Sequence, residues 1–206
     1  MEHADPAWRK DRVRIAVGDV VGHGISAALL MTTVRALLRS RLDGPGSITE
    51  ALTDVNRQLC RDTEPSGSFV TLFLLQVEAA TGRLAWVRAG HDPALLFSAA
   101  TGEIRELNGT GMALGVDEAY AYQGESCSRS HTGDILLIGT DGIWETHNAR
   151  SEKFGKARVG DIMRRHREAP AEAILEAVLR RLEEFRGELP QEDDITLVVL
   201  KPASPG

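Results

Sequence analysis

Residues 13–17, Val-Arg-Ile-Ala-Val, form a short run of branched apolar side chains that predicts a buried strand. From Ile25 the apolar spacing changes. Ala27, Leu30, Val34, Leu37 and Leu38 recur at helical intervals with Arg35, Arg39 and Arg41 among them, which predicts a helix over residues 25–42. The glycines and proline of residues 43–47 end it. A second helix is predicted over 47–60, where Ile48, Ala51, Leu52, Val55 and Leu59 make one apolar stripe. Ser47 with Glu50 three residues on has the form of a capping box.

The middle of the chain has a different rhythm. Residues 68–79, 82–90, 94–99 and 102–107 read as short strands broken by Gly, Pro and Asp turns, and Ala-Thr-Gly recurs before two of them, at 80–82 and 100–102, as in a pair of hairpins. Residues 119–130 and 134–140 predict further strands. A loop follows Asp141, then helices near 158–167 and over 170–186, the second with Ile174, Ala177, Val178, Leu182 and Phe185 on one face and Pro170 at its start. A last strand spans 195–200. Helices, a run of antiparallel strands, helices and a closing strand do not make a regular βαβ array; the pattern predicts an α+β fold. With no low-complexity tract between these segments, one domain is expected over residues 1–206, with its core at 13–200 and tails at 1–12 and 201–206.

Composition narrows the function classes. The 206 residues carry a net charge of -6, so a nucleic-acid partner has no global electrostatic support. The two cysteines, Cys60 and Cys127, fall in no metal or redox spacing, which suits a reduced, cytoplasmic setting. There is no apolar signal core and no run near the roughly 20 apolar residues of a membrane span, so a soluble chain without membrane contact is expected.

The candidate chemistry lies in carboxylates at strand ends. Asp19 ends the first strand, inside Gly-Asp-Val-Val-Gly-His-Gly at 18–24; Asp141 follows the strand at 134–140; Asp193 and Asp194 precede the last strand. Any one of these is explained by a turn-forming Asp. All of them at equivalent strand ends can converge, and converging carboxylates repel unless a cation neutralises them. Oxygen-only ligands favour Mg²⁺ or Mn²⁺ over zinc. Spacing alone leaves phosphatase, nuclease and phosphodiesterase open.

Four segments in order, residues 18–24, Ala-Gly-His-Asp-Pro-Ala-Leu-Leu-Phe at 89–97, Gly-Asp-Ile-Leu-Leu-Ile-Gly-Thr-Asp-Gly-Ile-Trp-Glu at 133–145 and Glu-Asp-Asp-Ile-Thr-Leu-Val-Val-Leu at 192–200, resemble the successive motifs of the SpoIIE-type branch of the PPM family of metal-dependent protein serine/threonine phosphatases. The resemblance covers residues 13–200. It implies an α-β-β-α sandwich, two antiparallel sheets flanked by helices, and a centre of two Mn²⁺ or Mg²⁺ ions. It also implies that Asp19 bridges the two metals, that the Val20 carbonyl adds a ligand, and that Asp141 and Asp193 bind from the other side, with a role open for Asp194. Gly22 and Gly24 would let the backbone pass the metal centre and open the first helix, and Gly142 follows Asp141 in the third motif. Catalysis in such a centre is direct attack of an activated water on phosphorus, without a phosphoenzyme. The implied substrate is a phosphorylated STAS-domain anti-anti-sigma factor, under an upstream sensor domain or protein, with the first two helices as the switching element.

The resemblance breaks at its N-terminal end. The family's glycine-rich acidic segment, which supplies a further metal ligand, has no counterpart; Asp5 and Asp11 lack its context. A sheet without its first strand is therefore expected, with an exposed edge that would favour a homodimer. The same gap supports a second reading, a pseudophosphatase that binds a partner without turnover. A third, a phosphodiesterase acting on small nucleotides, rests on His91-Asp92 alone, which reads more simply as a turn. His23, in the glycine turn, could protonate a leaving group or hydrogen-bond its loop. The basic residues 163–167 read as a solvated helix face, and Trp144 and Glu145 as either packing or an entrance.

Overall fold

A computed structural model of the chain describes residues 2–9, 12–63, 67–127 and 133–202. Along the chain the elements are β1 (Glu2–Arg9), β2 (Arg12–Val20), α1 (Ile25–Asp43), α2 (Ile48–Thr63), β3 (Val70–Glu78), β4 (Leu84–Ala89), β5 (Ala94–Phe97) and β6 (Ile104–Leu107). They continue with β7 (Glu125–Cys127), β8 (Ile135–Gly139), α3 (Asp141–Trp144), α4 (Gly155–Arg165), α5 (Ala171–Arg186) and β9 (Leu197–Leu200). Two compact units emerge: Met1–Pro93 with Asn108–Arg129, and Ala94–Leu107 with Ser130–Gly206.

The first unit is a five-stranded antiparallel sheet in the order β1-β2-β3-β4-β7, with α1 and α2 on one face. Alternate positions explain the packing. Ala16 and Val20 of β2, Leu72 and Leu74 of β3 and Val87 of β4 join Met31, Val34 and Leu38 of α1 and Leu52, Val55 and Leu59 of α2 in one apolar cluster. Each large side chain buried there stabilises the fold by about 1.5–3 kcal/mol. The intervening residues Ile15, Val17, Phe73 and Leu75 are buried as well, which is why β2 reads as a continuous apolar run. Arg14 breaks that run. It is buried, donates to the Leu42 carbonyl and to Gln76 Oε1 (2.9 Å), and so sets a cation at the negative C-terminal end of α1.

The capping box forms: the Ser47 amide donates to Glu50 Oε2 at 2.7 Å and the Glu50 amide to Ser47 Oγ at 3.2 Å. These bonds from Ser47 hold the Glu50 carboxyl below its usual range. Arg41 clamps the turn between the helices, donating to Asp54 Oδ2 and the Pro45 carbonyl, both at 2.6 Å, and its hydrogen bond lowers the Asp54 pKa. Both Ala-Thr-Gly segments make the same turn, with the Gly82 amide donating to Glu78 and the Gly102 amide to Ser98, each at 2.8 Å.

Three expectations need correction. The first strand is present: β1 pairs antiparallel with β2 from Glu2↔Asp19 to Arg9↔Arg12, so β2 is not an edge. Asp5 lies in β1 opposite Ala16, while Asp11 lies outside the described residues. The segment predicted as a strand at 119–130 pairs with β4 only over Glu125–Cys127, and residues 128–132 lie outside the described residues. Tyr120 and Tyr122 instead meet edge-on (4.9 Å between ring centres) and pack against the α1–α2 cluster, where their rings leave water. The loop after β8 begins with one helical turn, α3.

Fully buried Asn56 of α2 ties the long segment before β7 in place. Its Nδ2 donates to the Asp117 carbonyl at 2.7 Å and its Oδ1 accepts the Gly115 amide at 2.9 Å. Next to this tie, Val70 and Leu114 exchange backbone bonds of 3.0 and 2.8 Å.

The second unit is a four-stranded antiparallel sheet, β6-β5-β8-β9, carrying α3, α4 and α5. Leu95, Phe97, Ile135 and Leu137 pack with Val159 and Met163 of α4 and Ile174 and Val178 of α5. Phe154 meets Phe185 edge-on at 5.3 Å. No helix among the described residues is long and apolar enough to cross a membrane.

Candidate active site

Asp19 is the penultimate residue of β2, partly buried, opposite Thr71 of β3 on one side and Glu2 of β1 on the other. Val20 beside it is buried, and the Val21 amide extends the pairing by one bond, to the Phe69 carbonyl at 3.2 Å. The chain then turns. Gly22 and Gly24 hold φ of 89° and 85°, Gly24 with ψ of -158°, a conformation open only to glycine. A Cβ at either position would meet nothing within 4 Å, so backbone angle and not crowding demands glycine here. His23 stands exposed between them. Gly24 is the N-cap of α1, and its carbonyl accepts the first helical bond from Ala28 at 3.1 Å.

The second unit gathers the other three carboxylates at one end of its sheet. Thr140, buried at the end of β8, is bonded to the start of β9 in both directions: its amide donates to the Thr196 carbonyl (3.2 Å) and its Oγ1 accepts the Thr196 amide (3.1 Å). Its hydroxyl also donates to the Asp194 carbonyl at 3.5 Å. Asp141 follows as the first residue of α3, and Gly142 is pressed so close to the neighbouring segment that a Cβ would lie 2.1 Å from the Asp194 carbonyl oxygen. Asp193 Oδ1 accepts the Asp194 amide at 2.8 Å, and the Asp193 carbonyl accepts Gln191 Nε2, also at 2.8 Å. Asp141, Asp193 and Asp194 are all exposed.

Asp141 is thus brought to the Asp193–Asp194 segment, whereas Asp19, Val20, Gly22, His23 and Gly24 stand together in the other unit. Among the described residues, no group of three or more His, Cys, Asp or Glu side chains stands ready to hold a metal ion. The donor candidates are carboxylate oxygens and a backbone carbonyl. That is the hard-oxygen chemistry of Mg²⁺ and Mn²⁺, so the donor type fits those ions.

Other residues resolve more simply. Trp144 is buried in the helical cluster with Lys156 Nζ 5.0 Å from its ring centre, a packing role. Glu145 is exposed and paired with Lys153 at 2.8 Å. His91 lies in the loop after β4, not on a helix, with its Nδ1 2.9 Å from Thr71 Oγ1 and its carbonyl accepting Arg88 Nε at 2.7 Å. Off any helix, it leaves the phosphodiesterase reading without its one support. Two residues escaped the sequence reading. Thr140 and Thr71 are single hydroxyls in apolar strands, and that isolation was the available signal.

The chain is 25% identical over 197 residues to the phosphoserine phosphatase RsbU of Bacillus subtilis, an overlap of 93% of this chain and 56% of RsbU. It spans about half the length of the curated relatives it matches. Among solved structures, the RsbU and RsbW domains of Rv1364c from Mycobacterium tuberculosis superpose with a TM-score of 0.83 at 26% identity, over 100% of this chain and 56% of that one. The SiaA-PP2C domain of Pseudomonas aeruginosa superposes with a TM-score of 0.85 at 24% identity, over 98% and 80%. The likeness in fold includes both sheets and their flanking helices. The family model of Stage II sporulation protein E (SpoIIE) matches residues 9–202, nearly the whole chain, and the chain belongs to that family.

Proposed function

We propose that the chain is a metal-dependent protein serine/threonine phosphatase domain, hydrolysing phosphoserine or phosphothreonine on a signalling protein. The observation that carries the reading is the bonding of Thr140 to Thr196 and Asp194, which sets Asp141 beside Asp193 and Asp194 in a chain of the SpoIIE family. Asp19, the Val20 carbonyl, Asp141 and Asp193 would serve as ligands for Mn²⁺ or Mg²⁺, with Asp194 next to Asp193. When bound, such ions supply Lewis-acid stabilisation of phosphoryl charge and lower the pKa of water.

The protein's own part is positional. The Gly22–Gly24 turn fixes where β2 stops, so Asp19 is held by its ladder partners Glu2 and Thr71 one residue from the strand end. The exposure of Asp141 and Asp193 leaves them open to a phosphorylated side chain on a folded partner. His23, exposed in the same turn, is available to hydrogen-bond a departing hydroxyl. The target in this reading is a phosphorylated STAS-domain protein, and control comes from an upstream sensor acting through α1 and α2. The similarity to a phosphoserine phosphatase supports the substrate class.

The test is hydrolysis of a phosphoserine protein substrate against Mn²⁺ concentration. Turnover that rises and saturates with Mn²⁺ and vanishes on chelation is the expected result. A chain that binds the phosphoprotein but releases no phosphate at any Mn²⁺ concentration is the pseudophosphatase, and the proposal fails.

A further inference from the structure

We propose that Thr71 and His91 are positioning residues for Asp19, forming a relay of hydrogen bonds that fixes the orientation of its carboxylate; this rests on the metal-dependent reading above. In the antiparallel β2–β3 pair, Asp19 and Thr71 are direct partners, and such partners project side chains to the same face with Cβ atoms about 4.5–5.5 Å apart. Thr71 is the one hydroxyl among Val70, Leu72, Phe73, Leu74 and Leu75, all buried. A hydroxyl gains nothing by packing there and needs polar partners. One is present: His91 Nδ1, 2.9 Å from Thr71 Oγ1.

The backbone that carries the imidazole is held from several sides. His91 is only 3% exposed. Arg88 Nε donates to the His91 carbonyl at 2.7 Å while Arg88 Nη1 donates to the Gly109 carbonyl at 2.9 Å. The preceding Gly90 bridges Leu72, the neighbour of Thr71, and its amide donates to the Gly111 carbonyl at 2.9 Å. The ring therefore approaches Thr71 on a fixed backbone. With the proton on Nδ1, His91 donates to Thr71 Oγ1, and the one hydroxyl proton of Thr71 is directed onward to the Asp19 carboxylate. Hydrogen bonds of this kind orient a ligating carboxylate, and their loss typically costs 10–100-fold in metal affinity.

The experiment is Mn²⁺ titration of the full chain by calorimetry, with a thermal melt for every variant. Thr71→Val and His91→Leu are expected to raise the Mn²⁺ Kd about 10–100-fold, Thr71→Ser and His91→Asn to restore most of it, because each returns a donor to the same place. The double variant Thr71→Val with His91→Leu is expected to be no weaker than either single one, since the two act in series. Wild-type Kd values in Thr71→Val and His91→Leu, or losses that follow the fall in melting temperature and are not rescued by Ser and Asn, overturn the proposal. Asp19→Asn separates the two levels. If it loses Mn²⁺ while Thr71→Val does not, the relay is wrong and the metal reading stands; if wild type itself takes up no Mn²⁺, both fall.

Discussion

Asp141→Asn is expected to lower kcat/KM on a phosphoserine substrate by about a hundredfold or more, while moving the melting temperature by no more than about 3 °C. The two effects separate because different parts of the residue carry them. The fold uses the Asp141 backbone, whose carbonyl accepts the Glu145 amide at 2.8 Å to close α3. The carboxylate stands exposed at the start of that single turn, where an acid near a helix N-terminus contributes about 0.3–1 kcal/mol. In the proposed function Asp141 is one of a small set of anionic oxygen donors, and its loss is then a larger change, of the several kcal/mol that metal stabilisation of phosphoryl charge represents; each 1.4 kcal/mol or so is tenfold in rate. Steady-state kinetics beside a thermal melt check both halves. Near wild-type kcat/KM would remove Asp141 from the site.

Gly142→Ala is expected to cost about 2–4 kcal/mol of stability and to reduce turnover as well. Gly142 does not sit at positive φ, so the cost is one of space. The added methyl would lie 2.1 Å from the Asp194 carbonyl oxygen and 3.1 Å from its carbon. Both are backbone atoms, so no rotamer change can relieve the overlap. Either α3 or the Asp193–Asp194 segment must move, and the Thr140–Thr196 bonds that hold them together are strained first. Replacing Gly by Ala inside a helix ordinarily stabilises by up to about 1 kcal/mol, so the sign itself is diagnostic. For a chain of this size the melting temperature should fall by roughly 5–15 °C. An unchanged or raised melting temperature would mean that the two segments are less tightly joined than described.

Both predictions depend on how sequence becomes geometry here, and parts of that were legible. The first two helices, the Ser47–Glu50 capping box and the paired Ala-Thr-Gly turns each leave a local pattern, either a 3.6-residue stripe or a fixed spacing of turn residues. The positions of Asp19, Asp141 and Asp193–Asp194 at strand ends could be read the same way, because an apolar run that stops at an acid marks its own end. The first strand could not. Residues 2–9 include Asp5 and Pro6 and have no alternation, and the strand is specified by its register on β2. Pro and charge are tolerated at a sheet edge, where one side of the strand makes no ladder bonds.

The joining of Asp141 to Asp194 was equally hidden. It depends on Thr140, bonded to residues 54 and 56 positions away, and a bond between such distant residues leaves no periodic trace. The same holds for Thr71 with His91, 20 positions apart. His91 stood out in the sequence for its neighbour Asp92, which suggested a different chemistry; its place beside Thr71, the ladder partner of Asp19, comes with the Leu72–Gly90 bridge. Tyr120 and Tyr122 misled for a related reason. Alternating aromatics read as a strand until α2 offers them a surface to cover.

The proposed function turns on whether Asp19 takes part in holding a pair of metal ions. The most direct measurement is electron paramagnetic resonance of the protein with two equivalents of Mn²⁺, for wild type and Asp19→Asn. A spin-coupled Mn²⁺ pair in wild type that is lost in Asp19→Asn is the predicted result. Only isolated, uncoupled Mn²⁺ in wild type, or a coupled pair that survives Asp19→Asn, would contradict it.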